Sequence, residues 1–189
     1  MRKMFAFMAV SADGYHADPD GGLGWQTFGP EFADYSVEQL DEVDTLVLGR
    51  TTYTGMAAYW TGDLGANFDR RIAGRMNSLA KLVVSDTLTT VSWAGSPIAL
   101  TSVDELARVK QASGKDLAVL GSSTLTSALL RANLVDEVRL MVNPIILGGG
   151  SRLFAEAGTV PLELIRVRPF QSGNVLLYYR PRIQTSGPR

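Results

Sequence analysis

The sequence predicts an α/β fold with a mostly parallel central sheet flanked by helices and with antiparallel strands near the C-terminus. Over the first two thirds of the chain, short apolar runs alternate with amphipathic helical segments, a pattern typical of a parallel sheet covered on both faces. The later strands follow one another without a full helix between them, which favours antiparallel pairing at one edge. No repeat or linker divides the 189 residues. We therefore expect one domain over residues 1–183 and a disordered tail at 184–189.

The individual elements follow from apolar spacing and turn residues. Strands are predicted at residues 3–10, 45–48, 81–85, 97–100, 117–120, 136–143 and 175–180. Helices are predicted at 32–43, from 50 to about 59, at 67–79, after residue 102, and at 123–131, because apolar residues recur there at helical spacing. Ser36 with Gln39 fits a capping box for the first helix, and Ser102 with Glu105 fits one for the helix that follows residue 102. Residues 18–24 and 144–151 are expected to be loops rich in glycine.

Composition narrows the possible partners. The net charge is −1, and 46% of residues are hydrophobic while 20% are charged, as in a soluble globular protein. No basic stretch dominates, so neither nucleic acid nor an anionic membrane is expected as the main partner. The apolar segment at residues 1–10 is too short to span a bilayer and lacks the features of a signal peptide. We expect a cytoplasmic protein.

The chain has no cysteine and a single histidine, His16. Disulfides, thiolate zinc sites, cysteine nucleophiles and two-histidine metal sites are therefore excluded, and we expect no metal. A Ser-His-Asp triad would have to use His16, and no Gly-x-Ser-x-Gly segment supplies its serine. If the protein is an enzyme, a cofactor is expected to supply the difficult chemistry.

Two segments share one pattern, in which a buried strand ends in glycine and a helix then opens with hydroxyl residues. The first glycine turn has the sequence LVLGRTT at residues 46–52, and the second has AVLGSST at residues 118–124. Such a turn presents free backbone N–H groups at the edge of the sheet, where a phosphate binds. Two turns on one sheet indicate a dinucleotide. Neither matches Gly-x-Gly-x-x-Gly or the phosphate loop with Gly-Lys-Ser/Thr, which argues against a standard Rossmann dehydrogenase or a P-loop nucleotidase.

Arg50 distinguishes the first glycine turn. A cation at a helix N-terminus is disfavoured by a few tenths to about 1 kcal/mol, unless an anion lies between it and the helix. The alternative is a surface arginine paired with a carboxylate. The second turn offers Ser122, Ser123 and Thr124, which are also ordinary N-cap residues. Ser85 ends a third strand and is either part of the same crevice or a plain polar turn.

Five further candidates are weaker because each has a common structural explanation. Asp13 lies in an Asp-Gly turn after the first strand, and such turns are frequent. Trp25 and Phe28 lie in a loop that forms a lid, a pocket wall or a cover for the core. Glu31 lies with Asp34 near a helix start, where carboxylates are favoured in any case; either is a candidate proton donor.

Taken in order, these segments resemble the dihydrofolate reductase superfamily, and most of all the reductase domain of bifunctional riboflavin-biosynthesis proteins. The resemblance covers roughly residues 1–180. Each block is weak alone, but the order is specific. The matching blocks are residues 11–14 (SADG), 48–53 (LGRTTY), 83–85 (VVS), 121–125 (GSSTL), 134–138 (LVDEV) and 144–150 (PIILGGG), with Phe154 completing the last.

The resemblance implies a dihydrofolate reductase-like fold and an NADPH-dependent reductase, similar to 5-amino-6-(5-phosphoribosylamino)uracil reductase, that transfers hydride to a small heterocyclic or ribosylamino substrate. It places Arg50 near the adenosine 2′-phosphate and Ser85 near the adenosine. The cofactor contacts that it implies are Gly14, Gly49, Arg50, Thr51, Thr52, Ser85, Gly121, Ser122, Ser123, Thr124 and Leu125. We predict Asp13 and then Glu31 as catalytic acids, and substrate contacts at Ser11, Trp25, Tyr53 and Gly148.

The chain departs from its relatives at several positions. The second turn is Gly-Ser where dihydrofolate reductases have Gly-Gly, which favours the riboflavin branch. Asp86 stands where many relatives have a basic residue, and a carboxylate there opposes a 2′-phosphate. The folate-type acid of the first helix has no secure match. Two alternatives remain open, dihydrofolate reduction and a non-catalytic nucleotide-binding module. An exposed apolar C-terminal hairpin would suit a homodimer, which we expect.

Overall fold

The computed structural model describes residues 1–88, 90–94, 98–100 and 102–182. The strands in this part of the chain are β1 (Met4–Ser11), β2 (Tyr15–Ala17), β3 (Val43–Gly49), β4 (Ala80–Val84), β5 (Ile98–Leu100), β6 (Asp116–Leu120), β7 (Glu137–Asn143), β8 (Ser151–Arg152), β9 (Leu162–Pro169) and β10 (Val175–Pro181). The main sheet has the order β5-β4-β3-β6-β1-β7-β10-β9, and β2 pairs with β8 in a small second sheet.

The sheet confirms the predicted mixed architecture. The pairs from β5 through β7 are parallel, whereas β7–β10 and β10–β9 are antiparallel. The helices are α1 (Pro30–Asp41), α2 (Arg50–Thr61), α3 (Asp63–Phe68), α4 (Arg70–Ser78), α5 (Val103–Gln111) and α6 (Ser123–Arg131).

Alternation along the strands divides the core between two faces. Leu46 and Leu48 of β3 pack into one hydrophobic cluster with residues of α1, α2 and α4. Val47, between them, packs into a second cluster with residues of α5 and α6. Because successive strand side chains point to opposite faces, each face has its own set of covering helices. The carboxyl ends of β1, β3, β4 and β6 therefore open between two layers of helices.

The first helix begins earlier than predicted. Pro30 at its first turn starts α1, and Gly29 is its N-cap, as expected from the preference of proline for the first helical position. Ser36 and Gln39 are therefore mid-helix residues, and the predicted capping box is wrong. The box at Ser102 and Glu105 is confirmed, with both hydrogen bonds formed.

Two other predictions need correction. The single helix predicted at 67–79 is two, because the side chain of Asp69 caps α4 by accepting from the N–H groups of Arg71 and Ile72. The strand β9 was missed. Its alternation is broken where Ile165 is skipped in the pairing with Tyr178 and Tyr179 of β10, a β-bulge that adds one residue to the strand.

Some expectations stay predictions. The fourth predicted strand is present as Ile98–Leu100, while its first residue, Pro97, and the predicted tail at 184–189 lie outside the described residues. The single-domain organisation, the homodimer and the cellular location are untested. No helix in the described ranges is long and apolar enough to cross a membrane.

Candidate cofactor and substrate cleft

A cleft with a volume of about 1520 Å³ lies at the carboxyl ends of the parallel strands. Its floor is formed by the ends of β1, β3, β4 and β6, and its walls come from helices on both faces of the sheet and from the loop that follows β2. Ligands of open α/β sheets bind at this edge. Ten of the predicted cofactor residues line the cleft, namely Gly49, Arg50, Thr51, Thr52, Ser85, Gly121, Ser122, Ser123, Thr124 and Leu125.

The two glycine turns are joined directly. Strands β3 and β6 are parallel neighbours, with Val47 opposite Val119. The Ser122 hydroxyl accepts a hydrogen bond from the N–H of Gly49 at 2.9 Å and donates one to the Thr52 hydroxyl at 2.6 Å. The second turn therefore fixes the position of the first.

Close packing explains the glycines. Gly121 has a φ of +61°, and a Cβ there would lie 3.2 Å from Cγ2 of Thr52. A Cβ on Gly49 would lie 3.0 Å from the Ser122 hydroxyl oxygen. Ser122 itself has a φ of +58°, a left-handed conformation that costs a residue with a side chain about 1–2 kcal/mol. The two hydrogen bonds of its hydroxyl stabilise that conformation.

Both helices that leave the turns lack a side-chain cap. Neither Gly49, the N-cap of α2, nor Ser122, the N-cap of α6, makes a side-chain capping hydrogen bond. Ser122 uses its hydroxyl across the cleft floor instead. The first N–H groups of each helix are thus available to an anion, and both helix dipoles favour one.

Arg50 and Asp86 are the charged groups at this end of the cleft. Arg50 is the first residue of α2 and is exposed, and its guanidinium has no ion pair or hydrogen bond within the described ranges. Among the described residues, the structure therefore contradicts the alternative in which Arg50 pairs with a nearby carboxylate. Asp86 lines the cleft beside Ser85, whose hydroxyl accepts from the N–H groups of Thr87 and Leu88.

Asp13 lies outside the cleft lining and holds the glycine-rich loop after β7. Its carboxylate accepts hydrogen bonds from the Ser11 hydroxyl at 2.7 Å, the Leu147 N–H at 3.1 Å and the Gly148 N–H at 2.8 Å. These bonds, the one from Ser11 most of all, lower the pKa of Asp13 to about 2. Asp13 is therefore a carboxylate at neutral pH, a state that favours a positioning role over proton donation.

The other predicted catalytic and substrate residues are also absent from the cleft lining. The Glu31 carboxylate accepts from the N–H of Gln171 at 2.6 Å. Tyr53 is 5% exposed, and its hydroxyl accepts from two backbone N–H groups at 2.9 Å. The Trp25 indole donates to Gly22. Each of these positions favours a structural role. Ser11, Gly14 and Gly148 belong to the turns around Asp13 and do not line the cleft.

All four carboxylates of α1 are engaged elsewhere. The contact of Glu31 is given above. The other three carboxylates form ion pairs: Asp34 with Arg71 at 2.9 Å, Glu38 with Arg168 at 2.6 Å, and Asp41 with Arg75 at 2.7 Å. The face of α1 that lines the cleft instead carries Phe32, Ser36, Gln39 and Leu40. The helix that the resemblance associates with a folate-type acid thus presents no carboxylate to the cleft.

The sequence reasoning missed several lining residues. His16 lines the cleft, and burial lowers the pKa of its imidazole. The sequence signal that could have identified this residue is that His16 is the only histidine of the chain. The wall formed by α1, α2 and α3 was also missed, because helical spacing does not distinguish a face toward a cleft from a face toward the core. Among the described residues, no group of three or more His, Asp or Glu side chains is arranged to hold a metal ion.

Comparison with protein families identifies the family of this chain. The model of the RibD C-terminal domain family matches residues 2–176. The chain belongs to this family. The matched residues include both glycine turns and the residues that line the cleft. The match confirms the predicted family resemblance, and we therefore interpret the cleft by comparison with this family.

Individual relatives agree with the family. The chain is 26% identical over 181 residues to the uncharacterized protein YyaP of Bacillus subtilis (strain 168), with 94% of each chain covered. A crystal structure named for riboflavin biosynthesis, from Shewanella sp. PV-4, is 26% identical, with a TM-score of 0.75 over 96% of this chain and 99% of that one. Dihydrofolate reductase from Enterococcus faecalis, complexed with NADP(H), has the same fold, with 17% identity and a TM-score of 0.67 over 96% and 97% of the two chains.

Proposed function

We propose that this RibD C-terminal domain protein is an NADPH-dependent reductase of the riboflavin-biosynthesis type, acting on a small heterocyclic substrate. The observation that carries the proposal is the pair of helix N-termini without side-chain caps, joined through Ser122, that open into one cleft. They lie beside Arg50, which has no partner in the part of the chain that the structure describes. The NADP(H) complex of a dihydrofolate reductase with the same fold supports it.

The residues of the cleft floor fit a dinucleotide phosphate. The N–H groups at the starts of α2 and α6 would hold the pyrophosphate, where glycine at 49 and 121 lets the backbones approach closely. Arg50 would bind the 2′-phosphate of the adenosine, because a guanidinium grips a phosphate through two hydrogen bonds. When bound, the nicotinamide supplies a hydride to an unsaturated carbon of the substrate.

The protein's own contribution is then positioning and exclusion of water. Ser122 and Thr52 keep the two helix starts in register, and the aromatic and apolar walls shield the acceptor carbon. Reduction also takes up one proton on the atom next to that carbon. Because Asp13 is held as a carboxylate and Glu31 lies outside the cleft lining, we propose that water delivers this proton.

Dihydrofolate reduction is the weaker candidate. Assistance of ring protonation in that reaction requires a carboxylate in the substrate pocket, and the α1 carboxylates are paired elsewhere. A non-catalytic nucleotide-binding module would bind NADPH without oxidising it across a panel of carbonyl and imine substrates.

A calorimetric titration tests the proposal. We expect NADPH to bind, and Arg50→Ala to weaken NADPH at least tenfold more than NADH, because only NADPH carries the 2′-phosphate. Arg70→Ala is the matched control, since Arg70 is also an exposed first residue of a helix but lies outside the cleft lining. Absence of NADPH binding at millimolar concentration would refute the proposal, and equal losses for the two cofactors would remove Arg50 from the 2′-phosphate.

A further inference from the structure

One half of the cleft is lined by uncharged side chains. This aromatic half, as we term it, lies between α1, α2, α3 and α4 and consists of Phe28, Phe32, Ser36, Gln39, Leu40, Met56, Tyr59, Trp60, Phe68, Ile72 and Met76. The charged residues of the described lining, Arg50, Asp86, Arg152 and Glu156, all lie at the strand ends or near β8. The two halves therefore suit ligand groups of different charge.

The aromatic half presents a continuous series of rings. The Phe28 ring centroid lies 4.6 Å from that of Phe32 and 6.0 Å from that of Phe68. The Phe68 ring is 6.4 Å from Trp60. Phe28 and Phe68 remain 45% and 41% exposed, and neighbouring exposed rings form the kind of apolar patch that marks a ligand-binding groove. Rings arranged in this way provide flat surfaces against which a planar ligand packs.

Two polar side chains on α1 are left with hydrogen-bonding capacity. Ser36 is 6% exposed, and its hydroxyl makes no hydrogen bond within the part of the chain that the structure describes. Gln39 is 4% exposed, and its side-chain oxygen accepts from the Tyr35 hydroxyl at 3.2 Å, while its amide nitrogen has no partner in the same ranges. Neither of these two atoms is among the fully buried side-chain atoms that lack a partner in the described residues, so both remain accessible from the cleft that their side chains line. A hydroxyl and an amide donor that face a cleft beside the rings favour a ligand with complementary polar atoms.

We propose that the aromatic half binds an uncharged planar ring, held against Phe32 and Trp60, whose carbonyl or ring-nitrogen acceptors receive hydrogen bonds from Ser36 and Gln39. This inference rests on the proposed reductase function and narrows its substrate class. The proposed substrate differs from the phosphoribosylamino compound that the family resemblance implies, because an uncharged ring carries no phosphate. Within the described lining, no cation lies in this half to accompany a phosphate or carboxylate, and apolar surroundings disfavour an anion that has no counter-charge.

Matched fragment pairs test the inference by ligand-observed NMR, with and without saturating NADP⁺. The pairs are uracil with orotate, benzamide with benzoate, and riboflavin with riboflavin 5′-phosphate, each differing by one anionic group. We expect at least one neutral member to bind in the presence of NADP⁺, and its anionic partner to bind at least tenfold more weakly. Binding of the anionic members at equal or higher affinity, or no binding of any neutral member, would overturn the inference.

Ser36→Ala locates the binding. Because the Ser36 hydroxyl has no partner among the described residues, we expect this variant to keep the melting temperature and the NADPH affinity of the parent chain. Neutral-ring affinity should fall about fivefold, the usual effect of one lost hydrogen bond. Ser78→Ala, on the helix α4 but outside the cleft lining, should leave ring affinity unchanged. Equal ring affinity in Ser36→Ala and the parent would remove Ser36 from the site.

Different results would refute the reductase function and the uncharged-ring substrate. Ring binding is measured by NMR even where no NADPH oxidation occurs, so loss of NADPH binding with intact, Ser36-dependent ring binding would refute the reductase function alone. Firm NADPH binding with equal affinity for both members of each pair would refute the uncharged substrate alone.

Discussion

The Ser122 hydroxyl lies 2.6 Å from the Thr52 hydroxyl, across 70 residues of sequence. Since it also accepts from the N–H of Gly49, one serine ties together the starts of two helices that belong to different faces of the sheet. A cofactor that spans both helix starts would depend on this link.

Ser122→Ala should lower both stability and cofactor affinity. The variant leaves the half-buried N–H of Gly49 without its partner, so we expect a loss of about 1 kcal/mol in the free energy of unfolding and weaker NADPH binding. Urea denaturation and calorimetry measure the two effects.

Ser122→Gly is the informative comparison. It removes the same hydroxyl, but glycine adopts the φ of +58° without the penalty of about 1–2 kcal/mol paid by alanine or serine. We expect Ser122→Gly to be more stable than Ser122→Ala and equally impaired in NADPH binding. A glycine variant that is no more stable than the alanine variant would contradict the strain assigned to this position.

Asp86→Asn should favour NADPH over NADH. Asp86 lines the cleft next to Ser85, and removing its negative charge reduces repulsion of a 2′-phosphate. We expect NADPH affinity to rise about two- to fivefold at low salt, to rise less at higher ionic strength because exposed charges are screened, and NADH affinity to change little. Glu163→Gln, at the far edge of the sheet on β9, serves as the control; an equal gain in that variant would indicate a general effect of net charge.

Asp13→Asn should change the acid dependence of stability. The native pKa of about 2 lies below the ordinary value of 3.8, so the ionised carboxylate stabilises the fold at higher pH, and this contribution is lost as pH falls from about 4 through 2. The parent should exceed the variant in unfolding free energy at pH 6, and the difference should shrink toward pH 2. Asp20→Asn, with an exposed side chain in the next loop, is the control. A difference that stays constant with pH would contradict this role.

Gly150→Ala should disrupt the loop beside the cleft, whereas Gly149→Ala should not. A Cβ on Gly150, which has a φ of +122°, would lie 2.1 Å from the backbone oxygen of Ala17, but a Cβ on Gly149 would meet only a Pro19 carbon at 3.7 Å. We expect Gly150→Ala to lower the melting temperature by several degrees or to prevent folding. Similar melting temperatures for the two variants would show that the close approach to Ala17 is dispensable.

The sequence predicted the fold well because its signals are local. Helix α6 was predicted with its observed bounds, and the capping box of α5 was identified from Ser102 and Glu105 alone. Where a local rule competed with another, the prediction was less accurate. Pro30 starts α1 two residues before the predicted start at 32, and the capping box predicted at Ser36 does not form. The skipped Ile165 hid the alternation of β9.

For the site, the sequence by itself determined the glycine turns, the family and the position of Arg50 at a helix start, because each is a property of a few adjacent residues. Only the tertiary structure decided that Ser122 bridges the two turns, that Asp13 holds a loop through its hydrogen bonds, and that α1 presents Ser36 and Gln39 in place of a carboxylate. Helical periodicity fixes which residues share a face. Whether that face meets a cleft, a core or a neighbouring arginine depends on residues distant in sequence, and the packing of the whole sheet brings those together.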